Sequence, residues 1–297
     1  MFKDIYKNKF KTALIIAAIF ALLSVIVYYI SYALGYGEYA ITIALGVSLA
    51  TSLLSYWNSD KIVLSMNHAR PADGIEHRQV SNALEGVCIA AGIKTPKLYV
   101  MDDPSPNAFA TGRNPNHAVV CVTTGLLQKL DYYQLEGVLA HEVAHIKNYD
   151  ILLSTIASVM IGVVIMISDI WSRSFWYRGS RRSDNEKGGA NAIIMLIGLV
   201  FIILAPIAGQ IMKFALSRNR EYLADATAVE FTRNPEGLAT ALEVIGGISQ
   251  PVRRASSATA SMYISDPIKA ANGKRTSNLF STHPPIEKRV EAIRNLK

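Results

Sequence analysis

Residues 131–148 have the sequence DYYQLEGVLAHEVAHIKN and contain an HExxH motif formed by His141, Glu142 and His145. Side chains four residues apart in an α-helix lie on one face about one turn apart, so these two imidazoles can bind one metal ion. Glu142 points away from the line that joins the two rings, where its carboxylate can take a proton from an attacking water. The motif therefore predicts a zinc-dependent hydrolytic site, although three fixed positions also occur by chance.

The residues around the motif predict that it lies on a helix. Asp131 and Gln134 have the spacing of a capping box, which marks the start of a helix. Apolar residues then recur at helical intervals, at Leu135, Val138, Leu139 and Ile146. An ordinary helix with two structural histidines and a solvated glutamate is the alternative interpretation, and further ligands are needed to decide against it.

A third metal ligand is expected from another part of the chain, because a catalytic zinc usually has three protein ligands and an open fourth position. Glu221 and Asp225 lie four residues apart in a helical pattern, and therefore on one helix face. We interpret Glu221 as the third ligand and Asp225 as a carboxylate that orients a ligand from behind. An exposed helix with charge pairs at this spacing would have the same pattern.

A third cluster is the sequence Ser-Thr-His-Pro-Pro at residues 281–285, just before a predicted terminal helix at about 286–296. Pro285 suits the first turn of that helix, so His283 would be held immediately before a defined helix start. A histidine there can donate a hydrogen bond to the oxyanion that forms when water adds to a peptide carbonyl. Alone, a single loop histidine is more often simply exposed.

A candidate substrate-binding strand precedes the motif. Residues 97–103 and 117–123 are rich in β-forming residues, and residues 107–111 between them are predicted to form a short or edge strand. Because extended peptides commonly bind along a strand edge, we expect backbone hydrogen bonds to substrate from two residues of this strand and side-chain contacts from two others. These are Ala108 and Ala110, and Asn107 and Phe109, respectively. A hairpin that belongs only to the core is the alternative.

Two apolar stretches near the N-terminus predict a transmembrane hairpin. They lie at about residues 12–34 and 39–57, and each is long enough to cross a bilayer, which takes ~20 residues of helix. Lysines precede the pair, Lys61 and Arg70 follow it, and the turn between the stretches contains no basic residue. By the positive-inside rule both ends of the hairpin are cytoplasmic. The first stretch is long for a signal peptide, and we expect it to be retained.

Two further apolar stretches, at about residues 151–171 and 192–214, flank a loop with five basic residues. If both stretches span the bilayer, this loop lies outside, against the positive-inside rule; otherwise they pack against protein or lie in the interface. The outer ends of this second hairpin adjoin the proposed metal ligands His145 and Glu221. The metal site is therefore predicted to lie close to the cytoplasmic surface of the membrane.

The stretch from residue 246 to residue 277 is rich in serine, alanine, glycine and basic residues and has no sustained apolar period. It lies between a predicted helix at about 235–244 and His283. We expect a mobile loop over the cleft.

Taken together, the motifs resemble those of HtpX-type membrane zinc metalloproteases, a heat-shock protease group related to the CAAX prenyl and mitochondrial Oma-type proteases. The resemblance covers most of the chain. It rests on the N-terminal hydrophobic pair and on residues 106–112, 141–145, 221–225 and 281–285. It implies one Zn²⁺ per chain, bound by His141, His145 and Glu221.

The same resemblance implies the roles of the remaining site residues. Glu142 would be the general base and later the proton donor, and Asp225 would orient ligands from the second shell. His283 would act near the transition state. Neither a Met-turn nor the HExxHxxGxxH extension is present, so the site resembles that of a glutamate-ligand zincin.

The predicted fold is α+β and mainly helical, an integral membrane zincin (gluzincin-like) with a small β-sheet and a zinc-binding helix pair. The transmembrane hairpin would occupy residues 1–60 and the protease domain residues 61–297, interrupted by the second hydrophobic hairpin at about 151–214. The expected function is that of a zinc endopeptidase that cleaves misfolded or damaged membrane proteins at the cytoplasmic face, in stress response and protein quality control. Alternatives are a dedicated processing protease of the prenyl-protein kind and a non-catalytic membrane scaffold with structural zinc.

Charge and composition indicate which partners to expect. The net charge is +7, but the basic residues flank apolar stretches, which favours anionic lipid headgroups and argues against nucleic acid. No Walker-type phosphate loop is present, so we expect no nucleotide. The expected partners are the lipid bilayer and membrane-protein or unfolded polypeptide substrates. The expected location is the bacterial inner (plasma) membrane, with several spans and a cytoplasmic active site.

Overall fold

The computed structural model describes residues 2–33, 35–159, 162, 218–248, 250–253, 255–256, 258–267 and 283–296. Most of the second hydrophobic hairpin expected at 151–214 lies outside these residues, as do Ser281, Thr282 and residues 268–277 of the expected mobile loop. The spanning of that hairpin and the domain division at residue 60 stay predictions.

The N-terminal part forms the expected pair of long helices. Helix α1 comprises Phe2–Ala33 and α2 comprises Ala40–Trp57, and the two pack against each other. The segments Phe10–Tyr29 and Gly37–Trp57 are 20 and 21 residues long, with mean hydropathies of 2.5 and 1.5, which is enough to cross a bilayer. Little of either segment is buried within the protein, 12% and 17% respectively, which suits helices that face lipid.

A small mixed sheet follows, as expected from the sequence. Its strands are β1 (Arg70–Pro71), β2 (Lys97–Met101), β3 (Ala108–Gly112) and β4 (Ala118–Thr123), in the order β1-β2-β4-β3. The β2 and β4 strands are parallel, and the other two pairs are antiparallel. Strand β3 is therefore at one edge of the sheet, as predicted for residues 107–111.

The further described helices are α3 (Ser59–Met66), α4 (Arg78–Ala91), α5 (Thr124–Lys129), α6 (Tyr132–Lys147), α7 (Asp150–Val159), α8 (Arg218–Thr232), α9 (Pro235–Gly247) and α10 (Ile286–Arg294). The capping box predicted for α6 is present. Asp131 Oδ1 accepts from the Gln134 N–H at 2.9 Å, and Gln134 Oε1 accepts from the Asp131 N–H at 3.1 Å. These reciprocal bonds satisfy backbone donors that a helix start leaves unpaired.

Helix α6 carries the HExxH motif through the centre of the apolar core. It packs against α4, α8 and α9, and its Val138, Leu139 and Val143 are fully buried. The approach of α9 requires glycine at position 137, because a Cβ there would lie 2.7 Å from the backbone nitrogen of Leu238. Close packing of this kind holds the motif in one position relative to its neighbours.

The N-terminal hairpin contacts the rest of the protein beside this core. Leu153 and Ile156 of α7 pack against Ile15 of α1, and Tyr56 of α2 adjoins the same cluster. At the end of α2, the guanidinium of Arg113 donates to the Trp57 carbonyl at 3.0 Å. The beginning of the third apolar stretch thus lies against the first two.

The described part of the stretch expected to be a mobile loop is instead hydrogen-bonded to the sheet and to α3. The Asn67 Oδ1 atom accepts from Thr259 Oγ1 at 2.8 Å, from the Tyr263 hydroxyl at 3.0 Å and from the Ser256 N–H at 3.2 Å. Asn67 and Tyr263 are both fully buried. The serine-rich composition of this stretch indicated a loop. Composition could not predict that the distant Asn67 side chain would supply the hydrogen-bond acceptor.

Candidate active site

The two histidines of α6 and Glu221 of α8 form the centre of the site. The His141 and His145 Nε2 atoms lie 3.1 Å apart. Glu221 Oε1 is 3.6 Å from His145 Nε2, and Glu221 Oε2 is 3.8 Å from His141 Nε2. One ligand atom from each residue lies within 4.8 Å of the others, so the predicted ligand set is brought together.

Two carboxylates hold the opposite edges of the imidazole rings. Asp225 Oδ1 lies 2.9 Å from His141 Nδ1, and Asp150 Oδ2 lies 3.1 Å from His145 Nδ1. Because ionised carboxylates only accept hydrogen bonds, each Nδ1 atom carries a proton, and each ring in its neutral form directs an Nε2 lone pair into the site. When both rings are neutral, their two lone pairs and the Glu221 carboxylate face one another and suit a cation between them. The donor set therefore fits a metal ion, and the carboxylates orient its ligands.

Asp150 is a site residue that sequence reasoning missed. It begins α7, the apolar helix that packs against α1 and α2, and it also lies 3.4 Å from Arg220 Nη1. Its position five residues after His145, at the start of an apolar stretch, was the available sequence signal. Through Asp150 the orientation of His145 is linked directly to the helix at the base of the hairpin.

Arg289 on α10 was also missed. Its Nη2 and Nε atoms donate to Asp225 Oδ1 and Oδ2 at 2.7 and 2.9 Å, and its Nη1 atom lies 3.5 Å from Glu221 Oε2. Arg289 is fully buried, on the same helix face as Val290 and Ile293. The sequence shows only a single arginine on the apolar face of the terminal helix, a pattern that a solvated charge also gives. Arg289 supplies the positive charge that the two buried carboxylates need.

Burial and neighbouring charges shift the pKa values of these groups. For Glu221, burial raises the pKa, but the charge and hydrogen bond of His283, with His145 and Arg289, outweigh it and hold the pKa well below its usual value. For Asp225, burial likewise raises the pKa, and Arg289 outweighs it and keeps the pKa low. Both carboxylates are therefore ionised at neutral pH.

The two histidines differ. Burial and the charge of Arg289 lower the pKa of His141 to about 4, so this ring is neutral at pH 7. Burial also lowers the pKa of His145, but the Asp150 hydrogen bond and the Glu221 charge outweigh burial and raise it to about 9. Metal ligation requires the neutral ring, so His145 would have to release its extra proton to bind a cation.

Glu142 lies beside the ligands in the position expected of a base. It is buried, and its carboxylate lies close to Ala110 of β3. Burial and the Glu221 charge raise its pKa to about 7, against the opposing effects of His145, Arg289 and Ala110. A carboxylate with a pKa near neutrality can both take up and release a proton at physiological pH.

His283 lies immediately beside the ligand set. Its Nδ1 atom is 2.9 Å from Glu221 Oε2, and its side chain is mostly buried. The same histidine lines the cleft at the metal site. The sequence-based expectation that it meets the transition state stays a prediction.

A cleft opens on these residues, and β3 contributes Ala110 to its wall. The other candidate substrate residues are turned toward the protein itself. The Ala108 carbonyl accepts from the Ile264 N–H at 2.9 Å, and Asn107 Nδ2 donates to the Ser265 carbonyl at 2.9 Å. The Phe109 ring packs on the ring of Tyr263, with centroids 4.9 Å apart.

Two histidines and a glutamate that converge at the cleft, with a buried carboxylate on the same helix as the histidines, are typical of a metal-dependent peptidase. The profile of peptidase family M48 matches residues 75–297, and the chain belongs to this family. It is a metalloprotease, and its resemblance to the HtpX-type group is confirmed.

Individual relatives match almost the whole chain. A Protease HtpX homolog of Dictyoglomus thermophilum is 48% identical over 293 residues, which covers 99% of this chain and 94% of the relative. A Protease HtpX homolog of Lactobacillus acidophilus is 42% identical over 301 residues and covers 100% of both chains. Among solved structures, the crystal structure of S. mikatae Ste24p has 17% identity and a TM-score of 0.49, and the match covers 99% of this chain and 67% of that chain.

Proposed function

We propose that this metalloprotease is a zinc endopeptidase of the bacterial plasma membrane that cleaves membrane-protein and unfolded polypeptide chains at the cytoplasmic face. Its expected role is the removal of misfolded or damaged proteins under stress. The observation that carries the proposal is the convergence of His141, His145 and Glu221, with Asp225 and Asp150 behind the two rings and Glu142 beside them. Two imidazoles and one carboxylate are a common ligand set of catalytic zinc.

When bound, zinc supplies a Lewis acid for the scissile carbonyl and lowers the pKa of a water. Glu142 takes the proton of the attacking water and then passes it to the leaving amine. The Glu142 carboxylate lies close to Ala110 of the strand edge, beside the place where a main chain would lie. His283 is proposed to donate a hydrogen bond to the oxyanion.

The membrane-proximal location is supported by the packing of α7. Asp150 contacts His145 and begins α7, and Leu153 and Ile156 of α7 contact Ile15 of α1. Helix α7 therefore connects the proposed metal ligand His145 to the hairpin that we propose to span the bilayer. A site at this position can reach chains that emerge from the membrane. The basic residues on both sides of the hairpin favour its cytoplasmic side.

Two variants test the function. Glu142→Gln should retain stoichiometric zinc and lose hydrolysis of unfolded casein by about 10²- to 10⁴-fold, because it keeps the ligands and removes the base. His145→Ala should lose both metal and hydrolysis. Metal content by atomic absorption and casein cleavage in detergent measure the two properties separately. A Glu142→Gln protein that cleaves at the wild-type rate would contradict the assignment, and a zinc-loaded wild type without cleavage would favour a scaffold with structural zinc.

Substrate trapping with Glu142→Gln then separates quality control from dedicated processing. Many unrelated membrane proteins captured by the variant, with cuts mapped to their cytoplasmic parts, would support quality control. A single captured protein with one defined cut site would support the processing alternative.

A further inference from the structure

The outer edge of β3 is occupied by other parts of the same chain. At one end, the Ala108 carbonyl accepts from the Ile264 N–H at 2.9 Å. At the other end, the Gly112 N–H donates to Thr155 Oγ1 at 3.1 Å. Ala110 lies between them, close to the Glu142 carboxylate. An extended peptide needs several main-chain hydrogen bonds to join a sheet edge, and this arrangement leaves it about one residue of β3.

Residues 262–265, here called the edge segment, lie along β3 like an added strand. Tyr263 pairs with Phe109 in an antiparallel bridge, and their rings are in edge-to-face contact. The Ser265 carbonyl accepts from Asn107 Nδ2 at 2.9 Å. The Ile264 carbonyl is held by the metal-site arginine, which donates to it at 3.0 Å. The edge segment therefore has the hydrogen bonds and the direction of a bound peptide.

The position of the edge segment relative to the catalytic groups defines what it replaces. The edge segment begins at the end of the 3₁₀ turn Ala260–Met262, which lies close to Ala110 and Glu142. A peptide that pairs with β3 in the same antiparallel direction would place one residue opposite Ala110, beside the metal site. Its next two residues would coincide with Tyr263 and Ile264. These two places belong to the C-terminal side of the bond to be cut.

We propose that the edge segment is a built-in occupant of the substrate-binding edge, which an unfolded polypeptide must displace from β3 before it can be cleaved. This inference rests on the proposed endopeptidase function. When a substrate displaces the edge segment, its own main-chain hydrogen bonds and apolar side-chain contacts replace those of the edge segment. Only a chain that offers an extended apolar stretch can do so, since Tyr263 and Ile264 are fully buried. Folded proteins are thereby excluded as substrates. Because the edge segment must first leave β3, the apparent affinity for every substrate is lowered.

Two substitutions at one position test the main-chain contact. Ile264→Pro removes the N–H that donates to Ala108, and the extended backbone of Tyr263, at φ −72° and ψ 148°, precedes proline without strain. Ile264→Ala is the matched control, because it shortens the same buried side chain and keeps the N–H. We expect Ile264→Pro to have a KM for unfolded casein about three- to tenfold below that of Ile264→Ala, which is the net effect of one hydrogen bond. Equal KM values would overturn the proposal.

Amide hydrogen exchange provides a measurement independent of turnover. In zinc-loaded, full-length Glu142→Gln, the Ile264 amide should exchange slowly, and addition of unfolded casein should accelerate it at least tenfold. Binding of casein with an unchanged Ile264 amide, alongside cleavage by the wild type, would overturn this inference and leave the proposed function intact. If the wild type cleaves no polypeptide and the Glu142→Gln variant binds none, both this inference and the proposed function are overturned.

Discussion

Replacement of Arg289 by methionine is expected to destabilise the protein strongly. Arg289 donates two hydrogen bonds to the Asp225 carboxylate at 2.7 and 2.9 Å and one to the Ile264 carbonyl at 3.0 Å. Arg289 and Asp225 are 0% and 2% exposed, so methionine leaves a buried carboxylate without its counter-charge. Loss of one partner of a buried ion pair costs about 3–5 kcal/mol, a large share of the roughly 5–15 kcal/mol by which proteins are folded.

The same substitution should weaken metal binding. Without Arg289, burial dominates and the pKa of Asp225 rises, so its carboxylate becomes a poorer acceptor for His141 Nδ1. Loss of an outer-shell partner commonly weakens metal affinity about 10- to 100-fold. Arg289→Met/Asp225→Asn removes the unpaired charge as well, and should recover most of the folding stability without recovering the metal affinity.

The assay is urea unfolding of the full chain in detergent micelles, together with zinc competition against a chromophoric chelator. Arg294→Met is the matched control on the same helix. Its guanidinium pairs with Glu236 and Glu243 in partly exposed contacts, and exposed ion pairs add little stability. If Arg289→Met unfolds at the urea concentration of Arg294→Met, the argument from the buried pair is refuted.

Two other predictions concern the second metal-site carboxylate and helix packing. Asp150→Ala should weaken zinc affinity about 10- to 100-fold because His145 loses the acceptor at its Nδ1 atom, and unchanged affinity in the same competition assay would contradict this role. Gly137→Ala should cost about 1–3 kcal/mol in urea unfolding, because the new Cβ would lie 2.7 Å from the Leu238 nitrogen. Gly86→Ala on α4 meets nothing within 4 Å and should instead stabilise the protein by up to ~1 kcal/mol; similar effects of the two substitutions would argue against the close contact.

The part of the site that the sequence could predict depends on local backbone geometry. The helix period alone places His141 and His145 on one face, and the capping box that starts their helix spans only four residues. Glu221 and Asp225 are likewise one helical turn apart. Such relations follow from backbone geometry, so they can be inferred before any tertiary contact is known.

Asp150, which was missed, lies only five positions from His145, but Arg289 and Asn67 act through contacts distant in the chain. Arg289 and Asp225 are 64 positions apart, and Asn67 and Tyr263 are 196 positions apart. No local pattern distinguishes a buried arginine with two carboxylate partners from an amphipathic helix with one solvated charge. For the same reason, serine-rich residues near 260 were predicted to be mobile, although the described ones are held by a buried asparagine.

The sequence by itself determined the chemistry: the HExxH motif, a second acidic helix turn and two apolar helices long enough to cross a bilayer, all set by the spacing of nearby residues. The tertiary structure decided how these parts are used. Packing of α6, α8 and α10 brings a third ligand and a buried counter-charge to the histidines, and the folding of residues 262–265 onto β3 covers the strand edge that the sequence predicted to be open. Burial and long-range hydrogen bonding exist only in the folded chain, and they govern charge and access at this site.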